Sequence, residues 1–259
     1  MRIDVALAAG LRRDAILPAI GTPQAHVQAL FRIYLAAVAT WEKAAREVIV
    51  PAYERSLSGL VLDDAAGLEL EISRIDPIAI LRRPIEDWAR DTSAWHMRRF
   101  AENLRNSTSI DIGPFLPAMP TNETIAQATA RNVALIRSVS EEARAKISDI
   151  VIRGLSERQP SRAVARQISD VTGFARDRSR RIAKDQTAKL VAALDTRRML
   201  SAGLVEFKWK HSGKEHYRPW HKARDGKTFR LDDPELRGDM PGDKPFCGCK
   251  KRGIVRARR

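Results

Sequence analysis

The sequence predicts a mainly α protein, with long N-terminal helices, a helical array and a small C-terminal module that contains a β-hairpin. Apolar residues recur at helical spacing through most of the chain before Gly203, whereas apolar and charged residues alternate directly after it. The hydrophobic fraction of 44% and the charged fraction of 30% are typical of a folded, soluble protein. A chain of 259 residues is long enough for one or two domains with a sizeable core.

The N-terminal part combines an arm with two helices. Residues 1–22 are predicted as the arm, and a helix is expected from 23 to 57. Pro51 should kink or break this helix because proline lacks an amide hydrogen. Residues 58–77 are interpreted as a connector, and a second helix is expected from 84 to 105. Apolar side chains of the first helix recur every three or four residues, at Leu30, Phe31, Tyr34, Leu35, Val38 and Trp41.

A proline-rich stretch marks a predicted domain boundary in the middle of the chain. Residues 106–120 contain a glycine and three prolines, which break regular structure and end a helical N-terminal region at 23–120. A helical array is expected from 121 to 203. Its helices are predicted at 122–137, 140–153, 161–172 and 175–201, with Gly154, Gly173 and Gly203 as stops.

The C-terminal module, residues 204–259, has a different pattern of apolar and charged residues. Apolar and charged residues alternate from Val205 to Lys210, which predicts a strand. The pair Asp225-Gly226 is typical of a hairpin turn. The remainder is rich in glycine, proline and charge, and it ends in a basic tail.

The charge of the chain indicates a polyanionic partner. The formal net charge is +14 and the pI is about 10.3, a balance typical of proteins that lie close to nucleic acid. An arginine-rich solvated surface is the alternative. The residues expected to contact double-stranded DNA without sequence preference are Arg176, Arg178, Arg180, Arg181, Arg197, Arg198, Lys250, Lys251 and Arg252.

A cysteine and histidine cluster in the C-terminal module indicates a structural zinc site. Cys247 and Cys249 form a Cys-x-Cys pair, and thiolate and imidazole are the ligands that tetrahedral zinc prefers. His221 and His216 are the nearest candidates for the remaining ligands, with His211 in reserve. A module this short needs a cross-link such as a bound metal ion, because little hydrophobic core can form in it. Alternatively, the cysteines pack as small apolar groups and the histidines only donate and accept hydrogen bonds.

An ordered set of motifs resembles a known family. The stretch from about 132 to 255 is similar to the phage Mu F-like head morphogenesis family, the minor head proteins. Phe246 and Gly248 depart from the family, which usually has Asn before the first cysteine and Arg between the two cysteines. The motifs that carry the resemblance are Ile182-Ala183, Gly203, Trp209, Arg218-x-x-His221, Asp225-Gly226 and Cys247-x-Cys249.

This resemblance implies a structural protein of the virion rather than an enzyme. Members are minor capsid components that associate with the portal protein and with capsid and scaffold proteins, beside packaged double-stranded DNA. The expected location is the head interior or the portal vertex, after assembly in the bacterial cytoplasm, and no contact with a membrane is expected. In such a protein, the helical region 23–120 is expected to dock on the portal.

Two other classes of function stay open. A metal-dependent nuclease could use His221 and Asp225, but a closed set of two cysteines and two histidines would leave no open metal position for catalysis. A sequence-specific DNA-binding regulator could use the helices between Ser161 and Ser201 as a helix-turn-helix. A regulator should prefer its own duplex over random DNA by roughly 1,000-fold, whereas a head protein should not.

Overall fold

The computed structural model describes residues 11–58, 64–76, 78, 81–111 and 121–257. The protein is mainly helical with a small antiparallel sheet, which confirms the predicted fold class. In this part of the chain, no helix combines the length and apolarity that a membrane span requires. The α-helices are α1 Gln24–Ala44, α2 Val50–Ser58, α3 Asp64–Ser73, α4 Arg82–Thr108, α5 Asn122–Ser156, α6 Ser161–Ser201 and α7 Pro219–Ala223.

The sheet has four strands in the order β1-β4-β2-β3. Both β1 and β3 are short, and Phe207 of β2 pairs with Phe229 on one side and with Gly253 on the other. The strands are β1 Ala15–Ile16, β2 Glu206–Lys210, β3 Thr228–Arg230 and β4 Lys250–Val255. The strand predicted after Gly203 is therefore confirmed, and Gly203 has the positive φ of 75° that suits a helix end.

The described residues form two compact units, each assembled from segments that are distant in sequence. The sheet unit consists of the chain up to Val27, Asp87–Ala128 and the chain from Lys184 onwards. The helical unit consists of Gln28–Glu86 and Thr129–Ala183. The sequence predicts domains made of consecutive ranges, and these units are not consecutive. Each boundary between the two units falls inside a continuous helix.

The helical unit has an apolar core in which a few polar atoms are paired. Trp41 Nε1 donates a hydrogen bond to Ser140 Oγ over 2.9 Å, and the Tyr53 hydroxyl donates to the carbonyl oxygen of Gln159 over 2.8 Å. Gly154 lies where an added Cβ would come within 2.9 Å of the Tyr53 hydroxyl, so the glycine permits close helix packing rather than ending α5. The buried side chains of this core include Trp41, Tyr53, Ile72, Ile147, Val164 and Ile168.

Several predicted helix ends are wrong. The sequence predicts two helices in place of α5 and two in place of α6, but both elements are continuous. An exposed glycine such as Gly173 costs only about 1 kcal/mol in a helix, which burial of the flanking turns outweighs. Pro51 is accommodated by a π-helical turn, Ala45–Ile49, that separates α1 from α2. The predicted connector at 58–77 contains α3.

The N-terminal residues of the sheet unit belong to its core. β1 pairs with β4, and Leu17 and Ile20 are buried in the same cluster as Phe207 and Trp209. Residues 11–20 are therefore not the free arm that the sequence predicts, and residues 1–10 lie outside the described part. Of the predicted boundary at 106–120, the first residues belong to α4 and residues 112–120 lie outside the described part.

Candidate metal centre

His221 is placed by the short helix α7. Pro219 occupies the first turn of α7, where its fixed φ suits a helix start and its missing amide hydrogen costs nothing. The His221 side chain is buried, and the ring of Trp209 on β2 packs against it edge-on with the centroids 5.0 Å apart. The imidazole is thus held between a helix and the sheet.

The two cysteines lie just before β4, and their sulfurs converge on one nitrogen of His221. The distance from His221 Nδ1 is 3.6 Å to the sulfur of Cys247 and 3.7 Å to the sulfur of Cys249. All three candidate ligand atoms lie within 4.8 Å of one another, and all three side chains are buried. The preceding turn is fixed by Asp185, whose carboxylate accepts a hydrogen bond from the backbone amide of Phe246.

Asp239 orients the imidazole from the other side. His221 Nε2 lies 2.9 Å from Asp239 Oδ1, and Arg224 Nη1 donates to Asp239 Oδ2 over 2.6 Å. Although partial burial acts to raise the pKa of Asp239, hydrogen bonds from His221 and Arg224 hold that pKa below its ordinary value. Because an ionised carboxylate only accepts hydrogen bonds, Nε2 of His221 is the donor to Asp239, and Nδ1 is the ring nitrogen that faces the sulfurs.

The two thiols interact strongly with each other. A hydrogen bond from Cys249 lowers the pKa of Cys247 to about 5, against the opposing effect of burial. The same hydrogen bond and burial raise the pKa of Cys249. The charge of the nearby buried Lys251 side chain interacts with Cys247.

The structure brings together three of the predicted metal ligands and leaves two outside. Among the described residues, the group consists of His221, Cys247 and Cys249. His216 is exposed and does not belong to it. His211 is held elsewhere, since its Nδ1 accepts a hydrogen bond from the amide of Gly213 over 3.2 Å. Sequence reasoning missed Asp239, because an aspartate 18 residues after the histidine matches no motif.

The remaining motif residues build the frame of the site. Arg218 Nη2 donates to the carbonyl oxygen of Pro245 over 3.2 Å, which ties the start of α7 to the turn before the cysteines. Asp225 accepts a hydrogen bond from the amide of His211, and Gly226 has a positive φ of 76°. The turn Asp225-Gly226 leads into β3, but the predicted tight hairpin is wrong because α7 lies between β2 and β3.

Two of the predicted DNA contacts are wrong because their side chains are buried. Arg198 is 1% exposed, and its guanidinium contacts His96 Nδ1 at 2.6 Å and the carbonyl oxygen of Ser93 at 2.8 Å. Lys251 is 3% exposed, and its ammonium donates to the carbonyl oxygen of Pro241 over 3.1 Å. Burial lowers the pKa of Arg198 to about 10, so Arg198 stays charged at neutral pH. Its guanidinium contacts buried groups of the sheet unit.

The other predicted DNA contacts lie at least partly at the surface. Arg181 and Arg197 are exposed, and Lys250 and Arg252 are half-buried. The remaining three arginines have partners within the helical unit: Arg176 with Glu42 at 2.9 Å, Arg178 with Glu142, and Arg180 with Asp177 and over the Phe31 ring.

Comparisons with known proteins agree with the predicted resemblance. Residues 145–252 match the family described as "Phage Mu protein F like protein". An uncharacterised protein of Haemophilus influenzae is 32% identical over 148 residues, which cover 57% of this chain and 33% of that protein. A protein of Mycobacterium ulcerans with the name "Putative pre-16S rRNA nuclease" is 26% identical over 146 residues, which cover 55% of this chain and 82% of that protein.

The extent of these matches differs between the relatives. The chain spans about a third of the length of the Haemophilus influenzae protein. No solved structure matches the chain. The family resemblance predicted from the ordered motifs is confirmed by the match over residues 145–252, which make up less than half of the chain.

Proposed function

We propose that the protein is a phage minor head protein, a structural component of the virion that acts in head morphogenesis. The observation that carries the proposal is the family match over 145–252, a region that includes His221, Cys247 and Cys249. The partners that we propose are the portal protein, capsid and scaffold proteins, and packaged double-stranded DNA. The net charge of +14 supports the last of these, because such a charge favours a polyanion.

Presence in the particle tests the structural role. Virions of the phage that encodes the chain should contain it after purification through a density gradient, and an immunoblot of intact and disrupted particles measures this. Protease added to intact particles should leave the chain whole if it lies inside the head. A chain that is abundant in the lysate and missing from purified particles contradicts the proposal.

The proposed DNA contact is a non-specific one with the phosphate backbone. Exposed arginines on α6 would neutralise phosphates and release counterions, so affinity should fall steeply with salt and depend little on sequence. Since Arg198 and Lys251 are buried, the proposed DNA contacts that remain are Arg176, Arg178, Arg180 and Arg181 in the helical unit and, separately, Arg197, Lys250 and Arg252 in the sheet unit.

Fluorescence anisotropy with two unrelated duplexes tests this contact. Replacing Arg180 and Arg181 by Glu should weaken binding to both duplexes equally, and the slope of log affinity against log salt should fall by about one for each phosphate that is no longer neutralised. Arg46→Glu combined with Arg55→Glu is the matched control, because both are exposed arginines of the helical unit that are not among the proposed DNA contacts. Weaker binding to one duplex alone would instead support a sequence-specific regulator.

We further propose that the His221, Cys247 and Cys249 site has no catalytic role. The closed set of four ligands that the sequence predicts is not found among the described residues, so the proposal rests instead on the small space beside the cysteines. The cavity beside the cysteines has a volume of about 20 Å³, which accommodates about one water molecule and no substrate. Because one relative is named as a nuclease, incubation with duplex DNA and structured RNA in the presence of Mg²⁺, Mn²⁺ or Zn²⁺ is the appropriate test. Hydrolysis that His221→Gln abolishes would overturn this assignment.

A further inference from the structure

We propose that His221, Cys247 and Cys249 bind one zinc ion, with a water molecule as the fourth ligand and with Asp239 as the group that positions His221. The inference does not depend on the proposed function, since it rests on the geometry of the sheet unit alone. All of the residues that carry it belong to that unit.

The distances already fit a tetrahedral ion. Zinc bonds of about 2.0–2.3 Å place neighbouring nitrogen and sulfur ligands roughly 3.5–3.8 Å apart. The two distances from His221 Nδ1 to the sulfurs, 3.6 and 3.7 Å, fall in this range. The two sulfurs lie within 4.8 Å of each other, so they need to approach by at most about 1 Å to bind the same ion.

The hydrogen bond to Asp239 prepares the imidazole for a metal. Zinc-bound histidines usually donate their second ring nitrogen to a carboxylate or carbonyl, which fixes the tautomer and the ring orientation. Here the Nε2 atom of His221 lies 2.9 Å from Asp239 Oδ1, and Arg224 holds the other carboxylate oxygen.

A catalytic thiol explains this arrangement less well. A cysteine sulfur, the His221 imidazole and the Asp239 carboxylate follow one another here in the order found in cysteine-dependent enzymes. In those enzymes the histidine is the base that activates the thiol, and the carboxylate orients the histidine. Such a site needs one thiol, yet both sulfurs here lie at nearly equal distances from the same nitrogen. Both are also buried, at 6% exposure, where a substrate carbonyl does not reach them.

The fourth ligand follows from what surrounds the three side chains. Zinc is usually four-coordinate, and among the described residues no fourth histidine, cysteine or carboxylate joins the group, so one metal position is open to water. A small cavity that both cysteines line, and that His221 does not line, has room for about one water molecule. A water ligand replaces His216, which the sequence alone favours for this position.

Metal content of the purified full-length protein tests the proposal first. Elemental mass spectrometry should find about one zinc per chain. After the zinc is removed with a chelator, the protein should bind Co²⁺ and show a thiolate-to-metal absorption band. Substituting Cys247→Ser, Cys249→Ser or His221→Gln should each reduce bound zinc at least about tenfold. His216→Gln and His211→Gln are the matched controls and should retain it.

Asp239 requires a separate comparison, because it acts through His221. Asp239→Asn should weaken zinc affinity about 10- to 100-fold while leaving the Co²⁺ band in place. Asp232→Asn is the control, since Asp232 pairs with Arg230 at the surface, and it should bind zinc as the wild type does. Equal affinities in the two variants would remove Asp239 from the proposal.

A measurement on the wild type keeps the proposal falsifiable if the variants fail to fold. Zinc should protect both cysteines of the native protein from a thiol reagent, and a chelator should restore their reaction. The proposal is overturned if zinc leaves the rates unchanged, if only one cysteine is protected, if the two cysteines form a disulfide in the protein as purified, or if His216→Gln loses as much zinc as His221→Gln.

Discussion

The two compact units bury different kinds of side chain. The helical unit is held by an apolar core, with hydroxyl and indole groups such as those of Tyr53 and Trp41 each paired once. The sheet unit buries ionisable groups, including His96, Arg198 and Lys251. Apolar packing is tolerant of exchange at constant volume, whereas a buried charge depends on every partner it has. The sheet unit should therefore respond more strongly to single substitutions.

Removal of the buried guanidinium should have the largest effect. Arg198→Ala leaves the carbonyl oxygen of Ser93 and the ring of His96 buried without their partner, and breaking such an arrangement costs about 3–5 kcal/mol of unfolding free energy. Urea unfolding followed by circular dichroism measures this loss. Arg197→Ala, an exposed neighbour, should change the unfolding free energy by less than about 0.5 kcal/mol. Equal effects would contradict the comparison.

Two glycines of the helical unit should give effects of opposite sign. An added Cβ at Gly154 comes within 2.8 Å of Val164 and 2.9 Å of the Tyr53 hydroxyl, so Gly154→Ala should destabilise by about 1–3 kcal/mol. At Gly173 an added Cβ meets nothing within 4 Å, so Gly173→Ala should stabilise α6 by about 0.5–1 kcal/mol. Thermal unfolding of the two variants provides the measurement. Stabilisation by both would mean that the tight contact at Gly154 is absent.

Acid should weaken the sheet unit through His96, with the smallest effect of the three. Burial lowers the pKa of His96 below 6.5, so the unfolded chain binds the proton more readily than the folded protein does. The contribution to stability is present above pH 6.5 and is lost as the pH falls below that value. Replacing His96 by Gln should flatten the dependence of the urea midpoint on pH between 7.5 and about 5. The exposed His216→Gln variant should keep the wild-type slope, and an unchanged slope in His96→Gln would contradict the prediction.

The grouping of the two cysteines with His221 could be predicted from the sequence, whereas the carboxylate that contacts His221 could not. Cys247, Cys249 and His221 lie in one short segment with recognisable spacing, so their meeting could be predicted from the order of the motifs. Asp239 could not, because one aspartate among many has no local mark of its contact with His221. His216 was predicted as a ligand because it is close to His221 in the sequence. In a loop, closeness in sequence does not determine where a side chain lies.

The helices show which features of the fold can be predicted from local sequence patterns and which cannot. Helical spacing of apolar residues located every long helix, because that pattern depends on neighbours three and four positions apart. The stop predicted at Gly173 failed, because its local penalty is small beside the burial of the turns on both sides, whereas Gly154 lies two residues before the end of α5. Unit boundaries inside continuous helices have no proline or glycine mark at all.

The sequence by itself determined the mainly helical class, the change to strands after Gly203, the family resemblance and the meeting of Cys247, Cys249 and His221. Only the tertiary structure decided that Arg198 and Lys251 are buried and that Asp239 supports the imidazole. The physical reason is the range of the interactions. Spacing and capping act within a few residues, whereas Arg198 finds its partner His96 at a separation of 102 residues.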